Sequence, residues 1–175
     1  MKPPKKTNYS DDFQTPVYVL EPLYKYIERF KTIWEPASGE GNIVRALLDH
    51  GHNVAASDIL IGEQYNFLTY DYNKDDFDAI ITNPPYSLKN EFLERCYEIG
   101  KPFALLLPLT ALETARRQRL FKTYGIELIL FDKRINYITP SKGKSASWFA
   151  SAWFTWGLNI GKELTFTDLK EEGAK

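Results

Sequence analysis

The tightest constraint on the fold is the run Thr32-Ile33-Trp34-Glu35-Pro36-Ala37-Ser38-Gly39-Glu40-Gly41-Asn42, where a short apolar stretch meets a Gly-x-Gly turn. The stretch is too short for a helix and reads as a strand over 32–35. From Asn42 to about His50, the residues Ile43, Val44, Leu47 and Leu48 repeat at helical spacing. Strand, glycine turn and helix in that order form the first unit of a nucleotide-binding α/β fold. Glycine lets a ligand approach the backbone closely, and the helix N-terminus behind it favours an anion. The third glycine of the dinucleotide fingerprint is missing, which argues against NAD. Read alone, the turn serves a purely structural role equally well. A second strand over Asn53–Ser57 ends at Asp58, where such folds keep an acidic residue for a ribose diol. Ile59 and Leu60 can flank an adenine ring, and the alternative for Asp58 is a turn or cap residue.

The second constraint is Asp78-Ala79-Ile80-Ile81-Thr82-Asn83-Pro84-Pro85-Tyr86. Its apolar run reads as a buried strand ending at Asn83. Each proline has a fixed φ and no N–H, and a residue before proline is pushed into extended geometry. The strand tip is therefore a stiff strut offering a carboxamide, carbonyl acceptors and an aromatic ring. That set suits a planar group bearing an NH2, whose lone pair is delocalised and poorly nucleophilic. The side-chain oxygen of Asn83 and the carbonyl of Pro84 could each accept one N–H, favouring a pyramidal nitrogen, while Tyr86 stacks on the ring. The alternative is a strand end and a Pro-Pro turn with Asn83 as a cap.

Elsewhere the chain alternates strands and helices. Thr15-Pro16 reads as a helix start, with Leu20, Leu23, Tyr24, Ile27 and Phe30 facing the core. Asn66-Phe67-Leu68 suggests a short third strand, and Ser87 can cap a helix to about Ile99 in which Cys96 is core. Strands follow at 103–107, 126–131 and 148–156, with an edge strand at 163–168. A helix over 111–124 carries Arg116, Arg117, Arg119 and Lys122, either a solvated face or a nucleic-acid contact. Residues 133–147 mix Lys133, Arg134 and Tyr137 with Gly and Ser, fitting either a hairpin that grips an extruded base or an ordinary connection in which Tyr137 packs. At 175 residues the chain holds one domain, expected over 13–168 between a basic arm at 1–12 and a polar tail at 169–175. The net charge of −1 requires any nucleic-acid contact to use a local patch. One cysteine, no bilayer-length apolar run and no signal-peptide core suggest a cytoplasmic protein without membrane contact. His50 and His52 have no acidic or cysteine partner at ligand spacing, so no metal site is expected.

The ordered set of Thr-Pro helix, Glu-Pro-Ala-Ser-Gly-Glu-Gly, acidic strand end, Asn-Phe-Leu and Asn-Pro-Pro-Tyr resembles the class I S-adenosylmethionine-dependent DNA amino-methyltransferases of the adenine-N6 type. The resemblance covers roughly residues 13–110. It implies a Rossmann-like α/β fold, with helices on both faces of a seven-stranded, mostly parallel sheet bearing one antiparallel strand. It also implies S-adenosyl-L-methionine as cofactor, held by Thr15, Glu35, Ala37, Gly39, Gly41, Asp58, Ile59, Asn66 and Phe67. Asn83, Pro84, Pro85 and Tyr86 match the catalytic motif, and Tyr86, Lys133, Arg134, Tyr137 and Trp148 are candidate acceptor contacts. The position before Phe67 is commonly Asp in that family and is Asn66 here. Many relatives carry a separate target-recognition domain, so either the 133–147 insertion reads the target, or specificity is low, or a partner or homodimer supplies it. RNA adenine and protein glutamine-amide methyltransferases share the motif, and a binding module without turnover is the non-enzyme alternative.

Overall fold

A computed structural model describes residues 13–139, 143–147 and 149–170. The strands are β1 (Thr32–Glu35), β2 (Asn53–Ala56), β3 (Ala79–Thr82), β4 (Phe103–Pro108), β5 (Glu127–Phe131), β6 (Asn136–Thr139), β7 (Gly143–Ala146), β8 (Ser151–Trp156) and β9 (Leu164–Thr167). The α-helices are α1 (Glu21–Ile27), α2 (Asn42–Asp49), α3 (Lys89–Ile99) and α4 (Ala115–Tyr124). Seven strands form one sheet in the order β2-β1-β3-β4-β8-β5-β9, and β6-β7 is a separate hairpin. Only β8 runs against its neighbours, pairing antiparallel with both β4 and β5.

Every residue of β3 and β4 is buried, as expected of parallel strands covered on both faces. Successive side chains point to opposite faces. Ile33, Ala79, Ile81, Ala104 and Leu106 pack under α1 and α2, with Leu23, Ile27 and Leu47. Trp34, Ile80, Leu105 and Leu107 pack under α3, with Phe92, Leu93 and Cys96. Helices therefore cover both faces of a mostly parallel sheet, and Cys96 is core, as expected. Burial pushes its thiol up, which makes it inert.

The seven strands are not quite those anticipated. Residues 66–68 form no strand; a 3-10 turn over Glu63–Tyr65 is followed by a turn in which the Thr69 and Tyr70 N–H groups donate to the Asn66 carbonyl. Phe67 is the reason. It is drawn against the sheet face, stacked on Phe92 at 4.7 Å and edge-on to Trp34 at 5.2 Å. The seventh strand is β9, parallel to β5. Three helix starts also shift. Thr15 does not cap, because Pro16 is extended and a 3-10 turn over Val17–Leu20 leads into α1. Ser87 sits inside a 3-10 turn over Tyr86–Leu88, and α3 begins at Lys89. Thr114, at φ +81°, separates a 3-10 turn over Leu109–Leu112 from α4. In the expected polar tail, Leu169 is buried and its N–H donates to Asp132. No helix among the described residues is long and apolar enough to cross a membrane.

Candidate active site

Strands β1, β2 and β3 all run the same way, and β1 has β2 on one side and β3 on the other. The chain thus reverses its direction of travel across the sheet at β1, and the carboxyl ends of β1 and β3 flank the resulting crevice, the usual ligand position in open α/β sheets. A cavity of about 430 Å³ opens there. Its floor is the glycine turn (Pro36, Ala37, Ser38, Gly39) and the start of α2 (Asn42, Ile43). One wall is Asp58, Ile59 and Leu60, another is Asn66, Phe67 and Phe92, and the far end is Asn83, Pro85 and Leu88. Phe13, Gln14 and Thr15 pass alongside. Both turn glycines have left-handed backbone, φ +49° at Gly39 and +80° at Gly41, which only glycine adopts freely. A Cβ on Gly39 would stand 2.9–3.0 Å from the Gln14 carboxamide.

Among the described residues, Asp58 is the one ionisable residue lining the cavity. Its Oδ2 accepts from the Gly39 N–H at 2.8 Å and its Oδ1 from the Leu60 N–H at 2.8 Å. The carboxylate therefore fastens the glycine turn to the end of β2 and caps the turn after it, which is the turn-and-cap role of the two anticipated for it. Ionised carboxylates carry about four acceptor sites, so lone pairs remain for a ligand hydroxyl. Asn66 is more committed: its Nδ2 donates to Glu63 and its Oδ1 accepts from the Leu68 N–H. Of the anticipated cofactor residues, Thr15, Ala37, Gly39, Asp58, Ile59, Asn66 and Phe67 line the cavity. Glu35 and Gly41 do not. Glu35 is fully buried beneath the turn and accepts from the Ala37 N–H. Desolvation pushes its carboxyl up to about 8, with the Asp58 charge adding to the shift and the Thr82 hydroxyl and Ala37 N–H opposing it. Its second oxygen and the Thr82 hydroxyl form no hydrogen bond of good geometry.

Asn83 is oriented from outside its own motif. Its Nδ2 donates to the Phe13 carbonyl at 2.7 Å, which fixes the flip of the carboxamide. Its Oδ1 is buried and has no hydrogen-bond partner. A buried acceptor left unpaired is costly, which makes Asn83 Oδ1 a candidate to receive a ligand's donor. Thr15 Oγ1, also at the cavity, is buried and unpaired too.

Tyr86 departs from the expectation that its ring lies open for stacking. It is not a lining residue of the cavity. Its ring is stacked on Phe13 at 5.7 Å with an interplanar angle of 24°. Its hydroxyl lies 2.7 Å from the Tyr137 hydroxyl, which in turn donates to Ser151 Oγ at 3.0 Å. Tyr137 is only 1% exposed, so it supports Tyr86 from behind and cannot touch an acceptor directly. Burial pushes its hydroxyl up to about 12, keeping the proton that Ser151 receives. The packed-connection reading of Tyr137 therefore holds. The insertion forms the β6-β7 hairpin, with Lys133 and Arg134 exposed at its base. Trp148 lies outside the described residues. On α4, Arg116 is held by Glu94 and Glu91, and Arg117 is buried with its guanidinium on Ala111, Thr110 and Asn90. Arg119 and Lys122 remain exposed. Of residues 13–15 only Thr15 belongs to a sequence motif, so nothing in the sequence links Phe13 and Gln14 to the site.

No family model matches the sequence, and no curated protein matches it. Solved structures do. A Pyrococcus horikoshii protein described as an RNA methyltransferase superposes with a TM-score of 0.60 at 12% identity, covering 87% of this chain and 88% of its own. The modification subunit of a type I restriction enzyme from Vibrio vulnificus gives 0.57 at 12% identity, over 97% of this chain and 49% of that one. A class I S-adenosylmethionine-dependent methyltransferase from Listeria monocytogenes gives 0.56 at 16% identity, over 94% and 68%. The fold is that of the class I methyltransferases. At these identities the likeness concerns architecture, and the chain spans about half the length of the restriction-enzyme subunit.

Proposed function

We propose that this chain transfers a methyl group from S-adenosyl-L-methionine to an exocyclic amino group of a nucleic-acid base, N6 of adenine in DNA above others. The observation that carries the reading is the buried, unpaired Oδ1 of Asn83, a residue whose carboxamide is held in its flip state by the Phe13 carbonyl and which lines the same cavity as Asp58 and the glycine turn. The residues present fit the cofactor. Gly39 brings backbone without a side chain to the cavity, and Thr15 offers an unpaired buried hydroxyl. Asp58 gives the cavity a negative charge suited to a sulfonium. Thr15, Ala37 and Gly39 would hold the methionine part, Asp58 the ribose, and Ile59, Asn66 and Phe67 the adenine, with Glu35 and Gly41 shaping the turn from beneath.

When bound, S-adenosylmethionine supplies an already activated methyl carbon. The task of the chain is then positioning, exclusion of water and acceptance of hydrogen bonds. Asn83 Oδ1 and the Pro84 carbonyl would each accept a hydrogen bond from the amino group and so turn its nitrogen lone pair toward the methyl carbon. The cofactor held by Thr15, Gly39 and Asp58 would supply the methyl carbon and keep the electron pair of its broken S–C bond, and the methylated ammonium would lose its proton to water. No general base is required, because that ammonium is strongly acidic. The Pro84-Pro85 strut keeps the Asn83 tip rigid, and Lys133 and Arg134 offer a local basic edge for phosphates. A duplex base would have to leave the stack to reach Asn83. The likeness in fold to a restriction-enzyme modification subunit supports a DNA acceptor, and the likeness to a protein described as an RNA methyltransferase makes RNA the second reading.

The test offers tritiated S-adenosylmethionine with DNA, RNA or a translation release factor as separate acceptors. Label in DNA as N6-methyladenine is the expected result. Label in RNA alone selects the second reading, and label in the protein alone overturns the nucleic-acid assignment.

A further inference from the structure

An acceptor base needs a flat surface beside Asn83, and the surface the motif provides is taken. Phe13 stacks against the Tyr86 ring in an offset pair, with centroids 5.7 Å apart and planes inclined by 24°, and so covers part of the surface that a base would use. It is boxed by Tyr137, tilted at 5.4 Å, and by the edge of Phe149 at 5.7 Å. Phe149 also meets Tyr86 edge-on at 5.5 Å. Tyr86 is pinned through its hydroxyl to Tyr137, so it cannot turn away to expose this face without breaking that bond. The cavity reaches Asn83 and Pro85 but stops short of the Tyr86 ring, with Phe13 at the boundary.

We propose, resting on the methyltransferase reading above, that Phe13 is a stand-in for the acceptor base. Its ring fills the stacking slot on Tyr86 until a planar heterocycle bearing an amino group displaces it. The slot is thus kept dry and the Tyr86 plane is set in advance, at the cost of a competition that every acceptor must win. Phe13 lies one residue from an anchor that need not move. The Gln14 and Ile138 backbones exchange N–H···O bonds at 3.0 and 3.1 Å, and the Gln14 side chain accepts from the Glu40 N–H at 3.1 Å. Displacement therefore asks for a swing of one side chain from a fixed strap. The Phe13 carbonyl can go on holding Asn83 while the ring leaves.

The competition has a measurable sign. An aromatic pair is worth roughly 0.5–1.5 kcal/mol, or about a two- to tenfold change in an equilibrium constant. With the protein saturated by the non-reactive cofactor analogue sinefungin, a single-stranded oligodeoxyadenylate should bind Phe13→Ala about two- to tenfold more tightly than it binds the unaltered chain. Phe13→Tyr keeps a ring in the slot and should match the unaltered chain. Sinefungin affinity should change less than threefold in both variants. Equal or weaker oligonucleotide binding by Phe13→Ala, with sinefungin binding intact, would overturn the stand-in role, since a residue that merely supports the site can only weaken binding when truncated. Failure of the unaltered chain to bind sinefungin would instead overturn the methyltransferase reading, and the stand-in role with it.

Discussion

Replacing Glu35 by Gln is predicted to stabilise the protein, increasingly so as pH rises. Glu35 is fully buried, and its carboxyl is pushed from its ordinary value near 4.5 up to about 8, chiefly by desolvation. An acid raised in the folded state binds more protons folded than unfolded, so its contribution to stability is complete below about pH 4.5 and declines as pH rises toward 8. The gap corresponds to roughly 3 kcal/mol at pH 7 and, above pH 8, to an upper bound of roughly 5 kcal/mol. Gln keeps an oxygen to accept from the Ala37 N–H and adds an NH2 near the unpaired Thr82 hydroxyl, with nothing to ionise. Urea unfolding of both proteins at pH 5, 6, 7 and 8 provides the assay. The difference in unfolding free energy should be small at pH 5 and should grow by about 1 kcal/mol per pH unit from 5 to 7. Parallel curves for the two proteins across that range would refute the assignment of a raised, desolvated carboxyl.

Two further substitutions probe the cofactor end. Gly39→Ala places a Cβ against the Gln14 carboxamide and forces a left-handed backbone on alanine; unfolding should show a loss of about 1–2 kcal/mol, and calorimetry weaker sinefungin binding. An unchanged affinity would mean that the turn does not approach the ligand. Asp58→Ala removes the acceptor for the Gly39 and Leu60 N–H groups and a negative charge at the cavity, so sinefungin binding should weaken by about 1–3 kcal/mol. Binding within twofold of the unaltered chain would sink its ribose role.

What the sequence revealed follows the range of the interactions involved. The glycine turn, Asp58 at its strand end and the Asn-Pro-Pro strut are local devices, set by φ restrictions and short periodic runs, and all three stand where the residue order puts them. The fully apolar runs 79–81 and 103–107 identified central strands for the same reason. The misreadings concern aromatic residues whose partners lie far along the chain. Phe67 is alternated like a strand residue, but Phe92 and Trp34 draw it onto the sheet face. For Tyr137 the sequence leaves an acceptor contact and a packed connection both open, and the hydroxyls of Tyr86 and Ser151 decide for the packed one. Phe13 and Gln14 carry no periodicity and no motif, and their role depends on Asn83, Ile138 and Glu40, up to 124 positions away. A polar stretch of sequence with one aromatic cannot disclose such a strap. Glu35 offered no warning of its raised carboxyl either, because burial at a strand end is a property of the finished sheet.

The most direct measurement is single-turnover transfer of labelled methyl to DNA by Asn83→Ala, paired with calorimetry of cofactor binding. Loss of transfer by at least about a hundredfold, with cofactor affinity kept within threefold, is the predicted outcome for a buried acceptor that acts on the amine alone. Transfer that survives, or a comparable collapse of both quantities, would contradict it.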